Sequence, residues 1–247
     1  MKNLAFRLFK HPTNLVMMNV CQFSFGGKMM MRSIKISLIV LINFTGFCDD
    51  HFIETLGEAA SGESRAQFEL GLHYSNGDEV IQDYTQAIKW WKRSAANGNS
   101  QAMYELGVAY QKGLGVSIDF TESVKWFITA AEHDHSGAVT QLGIMYEIGQ
   151  GVVMDHKEAI IWFDIAAKQG NKVAQYRLAM LHFVGHPDIR DFVKAHMWFS
   201  IAAYFGDKYS DKRLKVVEAL MSPSQILESN DLSTPWLSRF TSAAMLN

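Results

Sequence analysis

A tryptophan recurs every 36 residues through the middle of this 247-residue chain. The four copies are Trp90, Trp126, Trp162 and Trp198. The same spacing holds for three other sets: Ala66, Ala102, Ala138 and Ala174; Leu70, Leu106, Leu142 and Leu178; and Asp83, Asp119, Asp155 and Asp191. Four copies without an insertion or a deletion indicate a single structural unit that is repeated in series and stacked on itself.

The first half of each unit has the pattern of a helix. In the second copy Ala102, Leu106 and Tyr110 lie four residues apart, so they share one side of a helix. Gly107 lies beside that row, and a glycine inside a helix costs about 1 kcal/mol relative to alanine. Its recurrence at positions 71, 107 and 143 therefore indicates that another helix approaches closely. This first helix ends at Gly113, because glycine adopts the left-handed conformation that helix ends require.

The second half of each unit predicts another helix. Asp119 stands where its carboxylate can accept backbone N–H groups, and Glu122 three residues later completes a capping box. Asp83, Asp155 and Asp191 stand at the equivalent starts. Small residues flank each recurring tryptophan, so we expect the tryptophan to fill the interface of the helix pair. The sequence predicts an all-α fold, an α/α solenoid of four 36-residue helix–turn–helix repeats with divergent helical caps.

Both ends of the array continue its register in weakened form. Ala59 and Gly62 precede Ala95 and Gly98 by 36 residues, and Ser222 with Gln225 has the pattern of a helix start. We expect Leu232, Trp236, Leu237 and Phe240 to cover the last exposed face. The predicted organisation is an N-terminal extension with a signal peptide (1–48), a capping half-repeat (49–65), repeats at 66–101, 102–137, 138–173 and 174–209, and capping helices (210–247).

The N-terminal extension carries the layout of a secretory signal peptide. A basic stretch at 31–35 is followed by an apolar run at 36–44, with Gly46 and Cys48 at the −3 and −1 positions of a cleavage site. The run is shorter than the 18 or more residues expected of a spanning helix. We therefore expect translation to start between Met29 and Met31, and the mature protein to be periplasmic or secreted. The alternative is an uncleaved segment that anchors the protein in a membrane.

The repeat pattern resembles the Sel-1-like repeat, a relative of the tetratricopeptide repeat. The third copy matches it most fully, and the resemblance covers residues 66–209. It implies a scaffold or adaptor that binds other proteins, often after export. One branch, the cysteine-rich secreted members, is linked to β-lactam binding or hydrolysis and carries a disulfide in nearly every repeat. Both cysteines of this chain, Cys21 and Cys48, precede the array, which speaks against that activity.

Charge and motifs disfavour several other classes of function. Residues 1–50 carry six Lys/Arg and two Asp/Glu, which leaves 17 basic and 23 acidic residues for the rest and a net charge of −6 there. An acidic array lacks the basic stripe that nucleic acids require. His182 and His186 have the spacing of metal ligands, but Gly185 and Pro187 interrupt their helix and His182 occupies the tyrosine position. We predict no metal, no cofactor and no catalytic residue.

The residues that differ between copies on the first helices are the candidates for binding, because solenoids bind along the concave surface. One row holds Glu69, Glu105, Gln141 and Arg177, and a second row holds His73, Ala109, Met145 and Leu181. The predicted binding residues are Glu69, His73, Glu105, Gln141, Met145 and Arg177. Two interpretations stay open: the second row can instead pack between helices, and the first can be a solvated face.

The sequence thus predicts an exported, non-catalytic scaffold that binds a protein or peptide partner on the concave face. A secreted hydrolase of cell wall or β-lactams is one alternative, and a membrane-tethered adaptor is another. The recurring tryptophans and aspartates are expected to build the stack.

Overall fold

The computed structural model describes the backbone of residues 50–244 and the side chains of residues 50–238. Residues 54–244 belong to one compact unit. The helices of the described part are α1 (Asp50–Ser61), α2 (Ser64–Asn76), α3 (Tyr84–Ala96), α4 (Ser100–Lys112), α5 (Phe120–Glu132), α6 (Ser136–Ile148), α7 (His156–Lys168), α8 (Lys172–Val184), α9 (Phe192–Tyr204), α10 (Lys208–Glu218) and α11 (Pro223–Ala244). This part contains no strand. The all-α prediction is therefore confirmed.

Four helix pairs form the array, α2/α3, α4/α5, α6/α7 and α8/α9, and all eight helices have 13 residues. The first helices α2, α4 and α6 end at glycines with φ between 68° and 81°. At each of these ends the glycine N–H donates a hydrogen bond to a carbonyl in the last turn of the helix. In α8 the corresponding Gly185 is extended, and Pro187 follows it. All four first helices therefore end at a glycine, although only three of these glycines are left-handed.

The second helices start at the recurring aspartates, as the sequence predicts. The Asp119 carboxylate accepts the N–H of Glu122 at 2.9 Å, and Asp83, Asp155 and Asp191 make the same type of bond. The other half of the predicted capping box does not form. The Asp119 N–H donates instead to the Tyr110 carbonyl at 3.0 Å, and Glu122 pairs with Lys125. The aspartate therefore ties the start of the second helix to the first helix.

The position that fills each helix pair is not the recurring tryptophan. Phe127 is fully buried whereas Trp126 is only half-buried, and a Cβ built on Gly107 would lie 2.6 Å from the Phe127 ring. Trp91 and Phe163 lie in the same way against Gly71 and Gly143. Phe199 is fully buried in the fourth copy, which has Ala179 instead of the glycine. Of the four recurring tryptophans only Trp198 is buried. The expectation is thus wrong by one residue, because a step of about 100° around the helix turns the neighbouring side chain toward the glycine.

The helix α1 occupies the position that the second helix of a preceding repeat would have. The Gln67 amide donates to the Ala59 carbonyl at 3.2 Å, and Gln175 makes the same bond to Ala167 at 3.2 Å in the last repeat. Ala59 is buried. Since Ala59 and Ala167 are separated by three repeat lengths, α1 provides α2 with the neighbour that the other first helices have.

At the other end, α11 packs along α9. Ser222 and Gln225 form a complete capping box, with the Gln225 N–H donating to the Ser222 hydroxyl and the Ser222 N–H to the Gln225 amide oxygen. Trp236 lies edge-on to Trp198, with ring centroids 5.8 Å apart, and Leu237 packs on the same cluster. Leu232 is 49% exposed, so its predicted role as cover is wrong. The Phe240 side chain lies outside the described side chains.

The predicted signal peptide at residues 31–48 also lies outside the described residues. Within residues 50–244, no helix has the combination of length and apolarity needed to span a membrane.

Candidate interaction surface on the first helices

Each first helix presents one stripe of four positions, spaced four, three and four residues apart, away from its partner helix. We call these stripes together the first-helix face. Its members are Arg65, Glu69, Leu72 and Asn76 in α2; Gln101, Glu105, Val108 and Lys112 in α4; Gly137, Gln141, Ile144 and Ile148 in α6; Val173, Arg177, Met180 and Val184 in α8; and Tyr209, Arg213, Val216 and Leu220 in or just after α10. The stripes change from polar in α2 and α4 to apolar in α6, α8 and α10.

The first predicted row lies on this face. Glu69, Glu105, Gln141 and Arg177 are all partly exposed there. Glu69 pairs with Arg65 at 2.8 Å within α2, and Arg177 pairs with Glu147 of the preceding repeat at 2.5 Å. Glu69 and Arg177, at the two ends of the row, are thus already engaged in ion pairs. Glu105 and Gln141, in the middle of the row, form no ion pair among the described residues. Their part in binding a partner stays a prediction.

Glu105 has a distinct setting among these residues. Burial raises the pKa of its carboxyl group, because the charged form is poorly hydrated. Its hydrogen-bond donor is the Gln101 amide at 3.4 Å, and the Gln101 oxygen in turn faces His135 Nε2 at 2.9 Å. His135 also caps α6, since its Nδ1 accepts the Ala138 N–H at 3.2 Å. A hydrogen-bonded chain therefore links the face of α4 to the start of α6.

The second predicted row does not belong to the face. Met145 and Ala109 are fully buried, and Leu181 is 6% exposed. His73 is half-buried, with Nδ1 3.2 Å from the Asp78 carbonyl in its own turn. These positions follow the stripe by one residue and therefore turn toward the core. Met145 is thus corrected to a packing residue, which decides the question left open by the sequence.

A groove of about 620 Å³ lies at the C-terminal end of the face. Its apolar lining comes from Val173, Tyr176, Met180, Phe205 and Tyr209. Arg177 and Glu147 also line it. The sequence prediction missed all of these except Arg177. The signal that would have found Val173, Met180 and Tyr209 is the stripe spacing together with the change from polar to apolar along the array.

The histidines with metal-ligand spacing do not converge. His182 is buried, and its Nδ1 faces the Ile189 carbonyl at 2.9 Å. Burial lowers the pKa of His182. His186 lies 3.1 Å from Asp188 at the edge of a smaller depression of about 230 Å³. Among residues 50–238 no group of three or more His, Cys, Asp or Glu side chains has a metal-binding arrangement.

One cluster of side chains has the serine–histidine–carboxylate order of a hydrolase triad. His196 Nδ1 lies 2.8 Å from the Ser229 hydroxyl, and His196 Nε2 lies 3.3 Å from the Glu218 carboxylate. Ser229 is fully buried and His196 is 3% exposed, and neither lines the two depressions. A nucleophile needs access to its substrate. The three side chains come from α9, α10 and α11, so this contact joins the C-terminal cap to the array.

Comparison with known proteins gives one family match and several relatives. A family model described as Sel1 repeat matches residues 64–99, 100–135, 136–171 and 172–207. The crystal structure of a Sel1 repeat protein from Oxalobacter formigenes is similar, with a TM-score of 0.61 and 29% identity over 74% of this chain and 78% of the other. A protective antigen of uropathogenic Escherichia coli strains, which displays the same repeat fold, gives a TM-score of 0.46 and 30% identity over 72% and 47% of the chains.

A curated relative matches over a shorter stretch. It is the secretory immunoglobulin A-binding protein EsiB of Escherichia coli O6:H1, strain CFT073, and it is 35% identical over 57 residues. This stretch is 23% of this chain and 12% of the relative. The alignment thus spans about an eighth of that protein's length.

Proposed function

The chain belongs to the Sel1 repeat family, and from that premise we propose that it is a non-catalytic adaptor that binds a protein or peptide partner on its first-helix face. One observation carries the proposal: large apolar side chains remain exposed along the C-terminal half of that face. Val173, Val184 and Tyr209 are 53%, 61% and 71% exposed. Large exposed apolar side chains that are grouped on one face are typical of surfaces that another molecule covers.

The relatives support binding as the general role. EsiB, which shares a short stretch of repeats with this chain, is named for binding an immunoglobulin. Repeat arrays of stacked helix pairs offer extended surfaces for such contacts.

A hydrolase is the alternative from a different class. The Ser229–His196–Glu218 arrangement is its best candidate site, and the full burial of Ser229 disfavours it. An assay of β-lactam and muropeptide turnover separates the two functions. Turnover that disappears in Ser229→Ala, with folding intact, would establish the hydrolase.

Affinity capture tests the adaptor. We expect Glu105→Arg to lose the partners of the native array, because it places a cation at the half-buried centre of the face. Lys89→Glu is the matched control, since Lys89 is exposed on the second helix α3. Native partners retained by Glu105→Arg, or lost equally in both variants, would contradict the proposed surface.

We also propose that the protein is exported, with removal of the segment that ends at Cys48. Sequencing the N-terminus of the mature protein tests this, with Asp49 as the expected first residue. A mature chain that begins at Met1 would rule out cleavage. Recovery of the intact chain in the membrane fraction would instead favour the tethered adaptor.

A further inference from the structure

Two exposed surfaces at the C-terminal end of the array have complementary chemistry. The first is the C-terminal half of the first-helix face, from α6 to α10, which we call the receptor patch. Ile148, Val184 and Leu220 form one exposed apolar row of this patch, at 55%, 61% and 56% exposure. Val173 and Tyr209 form another at the opposite helix ends. The equivalent positions in α2 and α4 are Arg65, Gln101, Asn76 and Lys112.

Cations lie between these apolar rows. Arg177 and Arg213 are the central residues of the α8 and α10 stripes, and these stripes contain no carboxylate. The carboxylates of Glu147 and Asp207 line the groove beside them. Arg177 is paired with Glu147, whereas Arg213 forms no ion pair with any residue of the described part. Lys208 and Lys212 are exposed nearby on α10. Asp207 beside them is engaged in capping α10 through its bonds to Tyr209 and Ser210.

The second surface is the outer side of α11, which we call the acidic ridge. It consists of Leu227, Glu228, Asp231 and Leu232, which are all exposed. Leu227 is 63% exposed and Leu232 is 49% exposed. Their spacing of one, three and one places them on one side of the helix. The opposite side of α11 carries the buried Ser229 and Ser233 and packs on α9. In this part of α11 the serines are buried and the two leucines are exposed, whereas Leu237 nearer the end of the helix packs on the core cluster.

We propose that the acidic ridge of one chain docks on the receptor patch of a second copy, so that two chains form a closed dimer through their C-terminal ends. The ridge offers an amphipathic helix with two leucines and two carboxylates. The patch offers a groove of about 620 Å³ with the apolar lining residues Val173, Met180 and Tyr209. The unpaired cation Arg213 lies on the neighbouring helix α10. This match is a helix-in-groove contact with charge complementarity. Both surfaces lie at one end of the array, so reciprocal docking closes a two-fold pair.

This inference goes beyond the adaptor function. The second copy covers half of the first-helix face, so dimerisation and partner binding compete for that half. The polar half, with Glu69 and Glu105, stays open in the dimer. The oligomeric state of the purified protein tests the inference without any partner.

Sedimentation velocity over a concentration series is the first measurement. We expect the native array to sediment as a dimer at high concentration and as a monomer on dilution. Arg213→Glu and the pair Glu228→Arg/Asp231→Arg should each raise the dissociation constant by about tenfold or more, since each places like charges face to face. Leu227→Ser/Leu232→Ser should act in the same direction, and both leucines are exposed, so folding stays intact.

The decisive measurement is sedimentation of a mixture of the two charge variants. Arg213→Glu alone and Glu228→Arg/Asp231→Arg alone should be monomers, whereas their equimolar mixture should form a heterodimer, because both contacts are then opposite in charge. Lys89→Glu is the control and should dimerise like the native chain. A native array that stays monomeric, variants that all still associate, a mixture that stays monomeric, or species larger than a dimer would each overturn the proposal. Circular dichroism of every variant verifies its helix content.

Discussion

At the scale of the residue, the recurring tryptophan and its neighbour have separate roles. The fully buried ring in the second repeat is that of Phe127, which lies against Gly107. Trp126 is half-buried, and its indole nitrogen is buried without a hydrogen-bond partner among the described residues. A residue can recur at every repeat without being the one that fills the core.

This difference predicts the outcome of two truncations. Phe127→Ala should lower the free energy of unfolding by about 3–5 kcal/mol, because it leaves a cavity beside a glycine that cannot fill it. Trp126→Ala should cost less, since part of its ring is solvated and its removal relieves an unpaired N–H group. Urea unfolding of both variants measures the order. A larger loss of unfolding free energy for Trp126→Ala would show that the tryptophan is the main packing residue of the repeat.

His135 predicts a dependence of stability on pH. Burial lowers the pKa of His135, and its Nδ1 must be unprotonated to accept the Ala138 N–H. The folded state therefore binds fewer protons than the unfolded state. The contribution of His135 is complete above the ordinary pKa of about 6.5 and is lost as the pH falls below it.

His135→Asn provides the control, because Asn99 and Asn171 cap the equivalent helices α4 and α8. We expect the loss of stability between neutral and mildly acidic pH to be smaller in this variant than in the native chain. Identical pH profiles would show that the cap does not titrate.

At the scale of the element, one predicted capping box forms completely and another forms only in part. Ser222 and Gln225 form both bonds of a capping box at the start of α11. Asp119 and Glu122 form only one, because the Asp119 N–H is bound to Tyr110 of the first helix. A motif of four residues predicts a helix start, but a carbonyl from another helix decides which donors remain.

Two alanine substitutions test this distinction. Asp119→Ala should cost about 1 kcal/mol of unfolding free energy, the typical loss for an N-cap. Glu122→Ala should have little effect, because its partner Lys125 is exposed on the same helix and the reciprocal bond is absent. Thermal unfolding of both variants checks the prediction. Equal losses of stability would indicate that Asp119 and Glu122 form a complete capping box in solution.

At the scale of the whole molecule, stability is a sum over neighbours. Each repeat contacts the adjacent ones, and α11 closes the last repeat through Trp236. In such an array a perturbed end loosens its own repeat before the others. The caps therefore determine local rather than global protection.

Trp236→Ala should expose Trp198 and Phe205 and increase hydrogen exchange in α8 and α9. Protection in α2 and α3 should stay as in the native chain, because three repeats separate them from the change. Asn230→Ala is the matched control, because Asn230 is exposed on α11 outside the acidic ridge. A uniform loss of protection along the array would mean that the repeats unfold as one unit.

The candidate surface was only partly predictable. The row from Glu69 to Arg177 follows from the spacing, because side chains four residues apart share a helix side. The groove around Val173, Tyr176 and Phe205 does not, since it forms where α8 meets the turn before α10. Met145 shows how far spacing alone can predict the surface, because a single step along the helix separates a surface residue from a core residue.

The sequence by itself determined that each 36-residue copy holds two helices, that the first one ends at a glycine and that the second one begins at an aspartate. Those features depend on contacts within a few residues, such as an aspartate bound to an N–H in the next turn or a glycine in the left-handed conformation. Only the tertiary structure decided that Phe127 rather than Trp126 meets Gly107, that Met145 is buried, and that α11 packs on α9 with Leu227 and Leu232 outward. These features depend on how helices rotate and settle against one another, and a repeating pattern is compatible with more than one such rotation.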